Sequence, residues 1–346
     1  MINLANILFE HERSVALSAV AQGSRLARNL QNQLQINATR TKTDDSPVTV
    51  ADFAVQAVIV DRLLAAFPDD KFIAEESASA LEQDQQLLES VVNATGLSEQ
   101  RVLTAIGACS HSGGDGARTW ILDPIDGTRG FIAMRQYCIA LGFIEKGVVR
   151  VGVLGCPNLP FRNMQPNDQR DLGCLFHAVQ GGGSWVTRET DVKPGDSSPR
   201  SVIDQRAHVR CHVSEITDPS SSVFCESVET RHSSHELSAR VASILGVNAP
   251  PLRMDSQAKY GCMARGDVGI FLRFPKKGYV ENVWDSAPAA IIVEEAGGRV
   301  TDGKGRPLDF SLGRTMANED GIVATNGIVH DVVIQAVQKV MSEVRL

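Results

Sequence analysis

The sequence lacks a membrane span, a disulfide framework and a basic face. No stretch of its 346 residues approaches the ~20 apolar positions that a spanning helix needs. Its seven cysteines (Cys109, Cys138, Cys156, Cys174, Cys211, Cys225 and Cys262) are far apart and contain no Cys-x-x-Cys pair. An odd, scattered set fits reduced cytosolic thiols better than structural disulfides or a zinc site, although spacing alone leaves a regulatory disulfide open. Positive charge is also short: 34 Lys and Arg against 41 Asp and Glu give a net charge of -7. That balance argues against nucleic acid or an anionic membrane as partner. An anionic small molecule stays possible, because bound metal ions can supply local positive charge. There are no internal repeats and no low-complexity tracts. Met1 to Leu30 reads as an amphipathic helix, interrupted early by Glu10-His-Glu-Arg13, so it lacks the uncharged apolar core of a signal peptide. A cytoplasmic protein, with a monomer favoured, is the expectation.

What is present is an ordinary globular composition, 43% apolar and 22% charged, long enough for two domains of ~150 residues each. After the first helix, the polar run Thr39 to Pro47 marks a loop, and apolar spacing predicts a helix over 50–67. A short strand over 71–74 runs into Glu75-Glu76-Ser77, and 78–107 is helix-prone. Strands are expected at 119–122, 138–144, 148–154, 175–179 and 184–187, with hairpin turns at Glu145-Lys-Gly147 and Gly181-Gly-Gly183. Thr190 to Arg206, rich in Ser, Pro, Asp and Gly, suggests a boundary between a first domain, 1–206, and a second, 207–346. In the second, strands at 209–213, 223–226, 268–274 and 322–325 alternate with helices at 234–245, 256–265, 287–296 and from 328. This alternation predicts a layered α/β (α+β) architecture.

The candidate chemistry lies in Asp52, Glu75-Glu76, Asp123, Asp126 and Asp285. Several have bland explanations. Asp52 fits a helix capping box begun by Thr49, Asp285 fits a helix N-cap, and Glu75-Glu76 fit a solvated strand end. Asp123 and Asp126 are harder to dismiss, because they follow the buried run Trp120-Ile-Leu122 and flank Pro124 in a turn eased by Gly127. Two aspartates converging on one point repel unless a counter-ion is present, and hard oxygen ligands suit Mg²⁺.

These residues sit in recognisable motifs. Trp120-Ile-Leu-Asp-Pro-Ile-Asp-Gly-Thr128 resembles the signature of the lithium-sensitive phosphatases related to inositol monophosphatase. Val283-Trp-Asp-Ser-Ala-Pro-Ala289 with Glu295-Ala-Gly-Gly298 resembles their second signature. Within that superfamily, the 3′(2′),5′-bisphosphate nucleotidases are most similar. The residues carrying that match are Ser46-Pro-Val-Thr49, Phe67-Pro-Asp-Asp70, Glu75-Glu-Ser77, Gly155-Cys-Pro-Asn158, His232-Ser-Ser-His235 and Asp255-Ser-Gln-Ala-Lys-Tyr260. The similarity runs from about Lys42 to the last helix. Arg129 stands where many relatives have lysine and Ala74 where many have glycine.

The resemblance implies a two-domain αβαβα sandwich, as in inositol monophosphatase and fructose-1,6-bisphosphatase. It implies two or more Mg²⁺ held by Glu75, Asp123, the Ile125 carbonyl, Asp126 and Asp285. Asp52 and Thr128 would activate water, and Gly127 and Thr128 would bind the scissile phosphate through backbone N–H groups. His232, Ser256, Lys259 and Arg273 would contact a nucleotide bisphosphate substrate. The implied activity is hydrolysis of 3′-phosphoadenosine 5′-phosphate (PAP) to AMP, with its sulfated precursor as a further substrate, lithium sensitivity and a place in sulfur metabolism. Two alternatives stay open: an inositol phosphate phosphatase of the same superfamily, and a catalytically silent metal-binding regulator. Bland readings persist for the second half too. Ser233-Ser-His-Glu236 is itself a capping box, and Lys259 could be an ordinary solvated lysine.

Overall fold

The computed structural model describes residues 8–37, 47–162, 171–193, 207–228, 234–275, 279–316 and 320–344. His232 and most of the 190–206 insert lie outside the described residues.

Two main sheets carry the chain. In the first, seven strands lie in sequence order: β1 (Lys71–Ala74), β2 (Thr119–Asp126), β3 (Cys138–Glu145), β4 (Val148–Pro160), β5 (Leu172–Val179), β6 (Gly183–Arg188) and β7 (His208–Arg210). β1 and β2 are parallel and the later neighbours antiparallel. The β3–β4 turn has Lys146 at φ 53 and Gly147 at φ 74. Two left-handed residues match the twist of a tight hairpin, which is why that connection is legible in the sequence. The second sheet draws on β8 (Phe224–Glu226), β9 (Leu252–Arg253), β10 (Ile270–Arg273), β12 (Arg299–Asp302) and β14 (Ile322–Thr325), in the order β12-β14-β10-β8-β9. A small ladder pairs β11 (Glu281–Asn282) with β13 (Thr315–Met316).

Helices cover both sheets. α1 (Glu10–Asn37) and α2 (Pro47–Ala66) lie on one face of the first sheet, with α4 (Gln85–Thr95) and α5 (Glu99–Gly107) beside α2 and α3 (Ala78–Gln83) against α4 and α5. α6 (Thr128–Ile132) follows β2. α7 (His235–Ile244) and α10 (His330–Val344) pack together outside the second sheet, while α8 (Ala258–Ala264) and α9 (Ala287–Glu295) lie between the two sheets. The layers therefore run α1/α2, sheet, α8/α9, sheet, α7/α10, an αβαβα sandwich.

Strand alternation sorts side chains into the cores between these layers. Trp120, Leu122, Leu141, Phe143, Val151 and Val153 face α1 and α2. Their neighbours Ile121, Ala140, Ile144 and Leu154 face α8 and α9, where Phe271 and Ala324 meet them from the second sheet. Ile270, Leu272 and Val323 face α7 and α10. Gly152 lets α9 lie directly on β4: a Cβ there would stand 2.2 Å from the Pro288 carbonyl oxygen.

Three details differ from the sequence reading. The first sheet takes its edge strand, β7, from beyond the expected boundary at 206. α2 begins at Pro47, so Thr49 and Asp52 lie within the helix, not at its cap. α7 is capped by Ser234, whose hydroxyl accepts the Leu237 N–H at 3.3 Å, one residue later than the capping box at Ser233 expects.

Candidate active site

Strand register brings the first two acids together. Ala74 pairs with Leu122 across the parallel β1–β2 ladder, so the next residues, Glu75 and Asp123, stand side by side where that ladder ends. Neighbouring strands are about 4.8 Å apart, and Asp123 feels the charge of Glu75 directly. Ala74 and Leu122 face α2, so alternation turns Glu75 and Asp123 towards the second sheet.

Asp126 reaches the same side because the strand is irregular. Asp123 stands opposite Ala140 and Asp126 opposite Cys138, so three steps on β2 match two on β3. The extra residue is a bulge at Pro124–Ile125, where proline has no N–H to give a ladder. Without the bulge, residues three apart would point to opposite faces. Gly127, at φ 87, then turns the chain into α6.

Asp126 is held from the next layer. The Gln257 N–H donates to its Oδ2 at 2.5 Å, and the Gln257 side-chain amide donates to the Trp284 carbonyl at 2.9 Å. Ser256, before it, adopts φ 71, a left-handed conformation uncommon outside glycine. Trp284 precedes Asp285 in a 3₁₀ turn, Val283–Asp285. Asp285 is thus no helix N-cap; Ser286 holds that position. Its Oδ2 accepts the Asn282 N–H at 3.2 Å and the Tyr279 hydroxyl at 3.5 Å.

Glu75, Asp123, Ile125, Asp126, Gly127, Thr128, Ser256, Lys259, Arg273 and Asp285 all line one cleft of about 330 Å³. Asp52 stands behind it on α2, buried and close enough to Glu75 and Glu76 to feel their charge. One turn further, the Gln56 amide donates to the Glu76 carbonyl at 2.8 Å and its oxygen accepts the Glu76 N–H at 3.0 Å. The Thr128 hydroxyl donates to the Ile125 carbonyl at 3.3 Å. Lys259 is not the solvated lysine of the bland reading: it is 4% exposed and its ammonium donates to the Met254 carbonyl at 3.2 Å. Arg273 is 3.3 Å from Glu281 and 3.8 Å from Asp285.

Electrostatics mark the cleft as a place for cations. Burial, then Glu75, Asp126 and Asp285, push the Asp123 carboxyl well above its ordinary range. Glu75 keeps surface open to the cleft, but the crowding walls and Glu76 push it up to about 7. Burial raises Asp126 as well, partly offset by Lys259. Burial opposes the charge of Arg273, yet Glu281 and Asp285 outweigh it and keep the guanidinium protonated. Asp123 is 4% exposed, and its Oδ1 has no hydrogen-bond partner. An orphaned carboxylate oxygen among hard oxygen donors fits a divalent cation. Among the described residues no three acids, histidines or cysteines already stand close enough together to hold an ion.

A pH experiment follows from these shifts. An acid raised in the folded state binds protons that the unfolded chain has lost, so metal-free protein should lose stability as pH rises from about 4.5 to about 7. Buried His177, held below its ordinary value, and His330, lowered by burial to about 4, act oppositely and weaken the fold as pH falls below 6.5. The histidine contribution is common to both metal states and cancels in a difference. The rise in Tm on replacing EDTA by Mg²⁺ should therefore grow between pH 5 and pH 8 (values chosen to bracket about 4.5–7). A rise independent of pH would contradict this account of the cluster.

The fold and the site have counterparts among known proteins. Residues 10–342 match the inositol monophosphatase family. The chain belongs to that family. Members are generally metal-dependent, in keeping with the acid-lined cleft. Its relatives include the 3′(2′),5′-bisphosphate nucleotidase of Emericella nidulans, 39% identical over 96% of this chain and 99% of that one. Another is 3′(2′),5′-bisphosphate nucleotidase 1 of Arabidopsis thaliana, 40% identical over 97% of this chain and 98% of the relative. Among solved structures, the inositol monophosphatase from Anabaena shares the fold with a TM-score of 0.58 at 22% identity, covering 94% of this chain and 95% of its own. No helix among the described residues is long and apolar enough to cross a membrane.

Proposed function

We propose that this family member is a Mg²⁺-dependent 3′(2′),5′-bisphosphate nucleotidase that hydrolyses PAP to AMP and phosphate, with the sulfated precursor as a second substrate. The observation that carries the reading is the convergence of Glu75, Asp123, Asp126 and Asp285 on a cleft that also contains Lys259 and Arg273. The near-full-length relatives bearing that name favour a nucleotide over an inositol phosphate.

The four carboxylates and the Ile125 carbonyl are the groups that would hold two or more Mg²⁺. When bound, these ions supply Lewis-acid polarisation of the phosphoryl oxygens and offset charge on the departing oxygen. The chain does the rest. Backbone N–H groups of Gly127 and Thr128 bind the scissile phosphate. Asp52 takes the proton of the attacking water by way of the Thr128 hydroxyl. The water oxygen bonds to phosphorus as the P–O3′ bond breaks, and the 3′ oxygen leaves with the electron pair and takes a proton from solvent. Lys259 and Arg273, on the α8 and β10 side, meet the phosphate that is retained. Ser256 meets the nucleoside, and His232 is its proposed partner there. The cytosol is the proposed compartment.

Phosphate release from PAP and from inositol monophosphate, each with Mg²⁺, EDTA or Mg²⁺ plus Li⁺, tests the reading. Turnover of PAP should exceed that of the inositol phosphate, vanish in EDTA and fall with Li⁺. Faster hydrolysis of inositol monophosphate would overturn the substrate, and no Mg²⁺-dependent turnover of either would leave a silent metal-binding protein.

A further inference from the structure

We propose that Arg314 is a positioning residue that sets the spacing between Glu75 and Asp285, an inference that rests on reading both as metal ligands. Arg314 lies in none of the motifs that point to the chemistry. Its Nη2 donates to the Ala74 carbonyl at 2.8 Å, and its Nη1 donates to the Cys109 carbonyl at 3.3 Å. The guanidinium carbon lies 4.9 Å from the centre of the Trp284 ring. Ala74 is the residue before Glu75, and Trp284 is the residue before Asp285. One planar group therefore grips the immediate neighbour of a ligand on each side of the cleft.

The backbone around Arg314 strengthens this tie. Its carbonyl accepts the Val283 N–H at 2.8 Å, at the start of the Asp285 turn. Its own N–H donates to the Ser112 carbonyl at 3.1 Å, in the segment beside β1. β1 is the edge strand of the first sheet, and among the described residues its free side carries only a bridge from Ile73 to Ser110. An edge carbonyl without a ladder is free to drift unless something else fixes it. Arg314 supplies that fixing bond at the last residue before Glu75, and anchors it to the layer that carries Asp285. A guanidinium suits the task because its rigid fork can bond two carbonyls while its face stacks on an aromatic ring; a lysine ammonium can do only part of this.

The experiment uses full-length Arg314→Met and Arg314→Lys. Titration with Mg²⁺ alone, followed by the rise in Tm, reports ligand geometry without reference to turnover. Alongside it stand the half-saturating Mg²⁺ for PAP hydrolysis and the KM for PAP at saturating Mg²⁺. In Arg314→Met both Mg²⁺ midpoints should rise by roughly ten- to a hundredfold, the usual effect of losing a support behind a metal ligand, while KM for the nucleotide stays unchanged. Arg314→Lys should fall between. A lower Tm with an unaltered Mg²⁺ midpoint would make Arg314 a purely structural tie and overturn the proposal. If Arg314→Met does not fold, Arg314→Lys carries the same criterion. Parent protein that shows the Mg²⁺-induced rise but no PAP turnover loses the nucleotidase reading only. Parent protein without that rise loses the ligand reading and this inference with it.

Discussion

Asp123→Asn should lower turnover by at least roughly a thousandfold, equal to about 4 kcal/mol of transition-state stabilisation, while leaving metal-free protein as stable as the parent or more so. The two effects have one cause. Asp123 is buried among Glu75, Asp126 and Asp285, and its Oδ1 has no protein partner. Without a cation, this charge is desolvated and repelled, so replacing it by a neutral amide of nearly equal shape relieves the fold. With a cation, the same charge would serve as a ligand, for which the amide is a poor substitute. Thermal melts in EDTA and in Mg²⁺ separate these cases. The parent should melt no higher than the variant in EDTA and rise on adding Mg²⁺, whereas the variant should respond weakly. A variant that melts lower in EDTA yet responds fully to Mg²⁺ would show that Asp123 serves packing and not the ion.

The same cluster shows where sequence reading reaches and where it stops. Asp123 and Asp126 were visible because they lie on one continuous segment, flanked by a buried strand and by Pro124 and Gly127, whose backbone limits are local. The layered fold was visible for a similar reason: period-2 strands and hairpin turns such as Lys146-Gly147 carry their instructions within a few residues. Even so, the bulge that turns Asp126 to the side of Asp123 depends on the pairing with Ala140 and Cys138, and no local pattern states that register.

Residues that act through the backbone of distant elements were not legible at all. Gln257 lies inside the Asp255–Tyr260 motif, yet its bonds to Asp126 and to the Trp284 carbonyl appear only when α8 is laid against β2. Arg314 is 240 positions from the Ala74 carbonyl it holds. β7 joins the first sheet although a boundary at 206 puts it in the second half, because a three-residue edge strand carries too little pattern to say which sheet it joins. The motifs name the groups that line the cleft; the geometry that brings them together comes from contacts between layers.

Asp52→Asn should separate catalysis from metal binding. Asp52 lies on α2, outside the lining of the cleft, buried and pushed upward by burial and by Glu76 and Glu75. Its place behind the ligands suits a group that takes a proton, not one that holds an ion. Loss of a positioned base costs about 10²–10⁴-fold in rate. The variant should show that loss in kcat while its Mg²⁺ midpoint in thermal titration stays close to the parent's, in contrast to Asp123→Asn. The pH profile adds a second criterion. In the parent, rate should climb with pH as Asp52 gives up its proton, at a pH above the ordinary carboxylate range. In Asp52→Asn that climb should flatten, because asparagine does not titrate. Thr128→Val should reproduce the rate loss if the hydroxyl relays the proton, whereas a near-normal rate would mean that Asp52 meets the water directly. A shifted Mg²⁺ midpoint in Asp52→Asn would move this residue from base to ligand, and the base would then have to be sought at Glu76, the other raised acid held against α2.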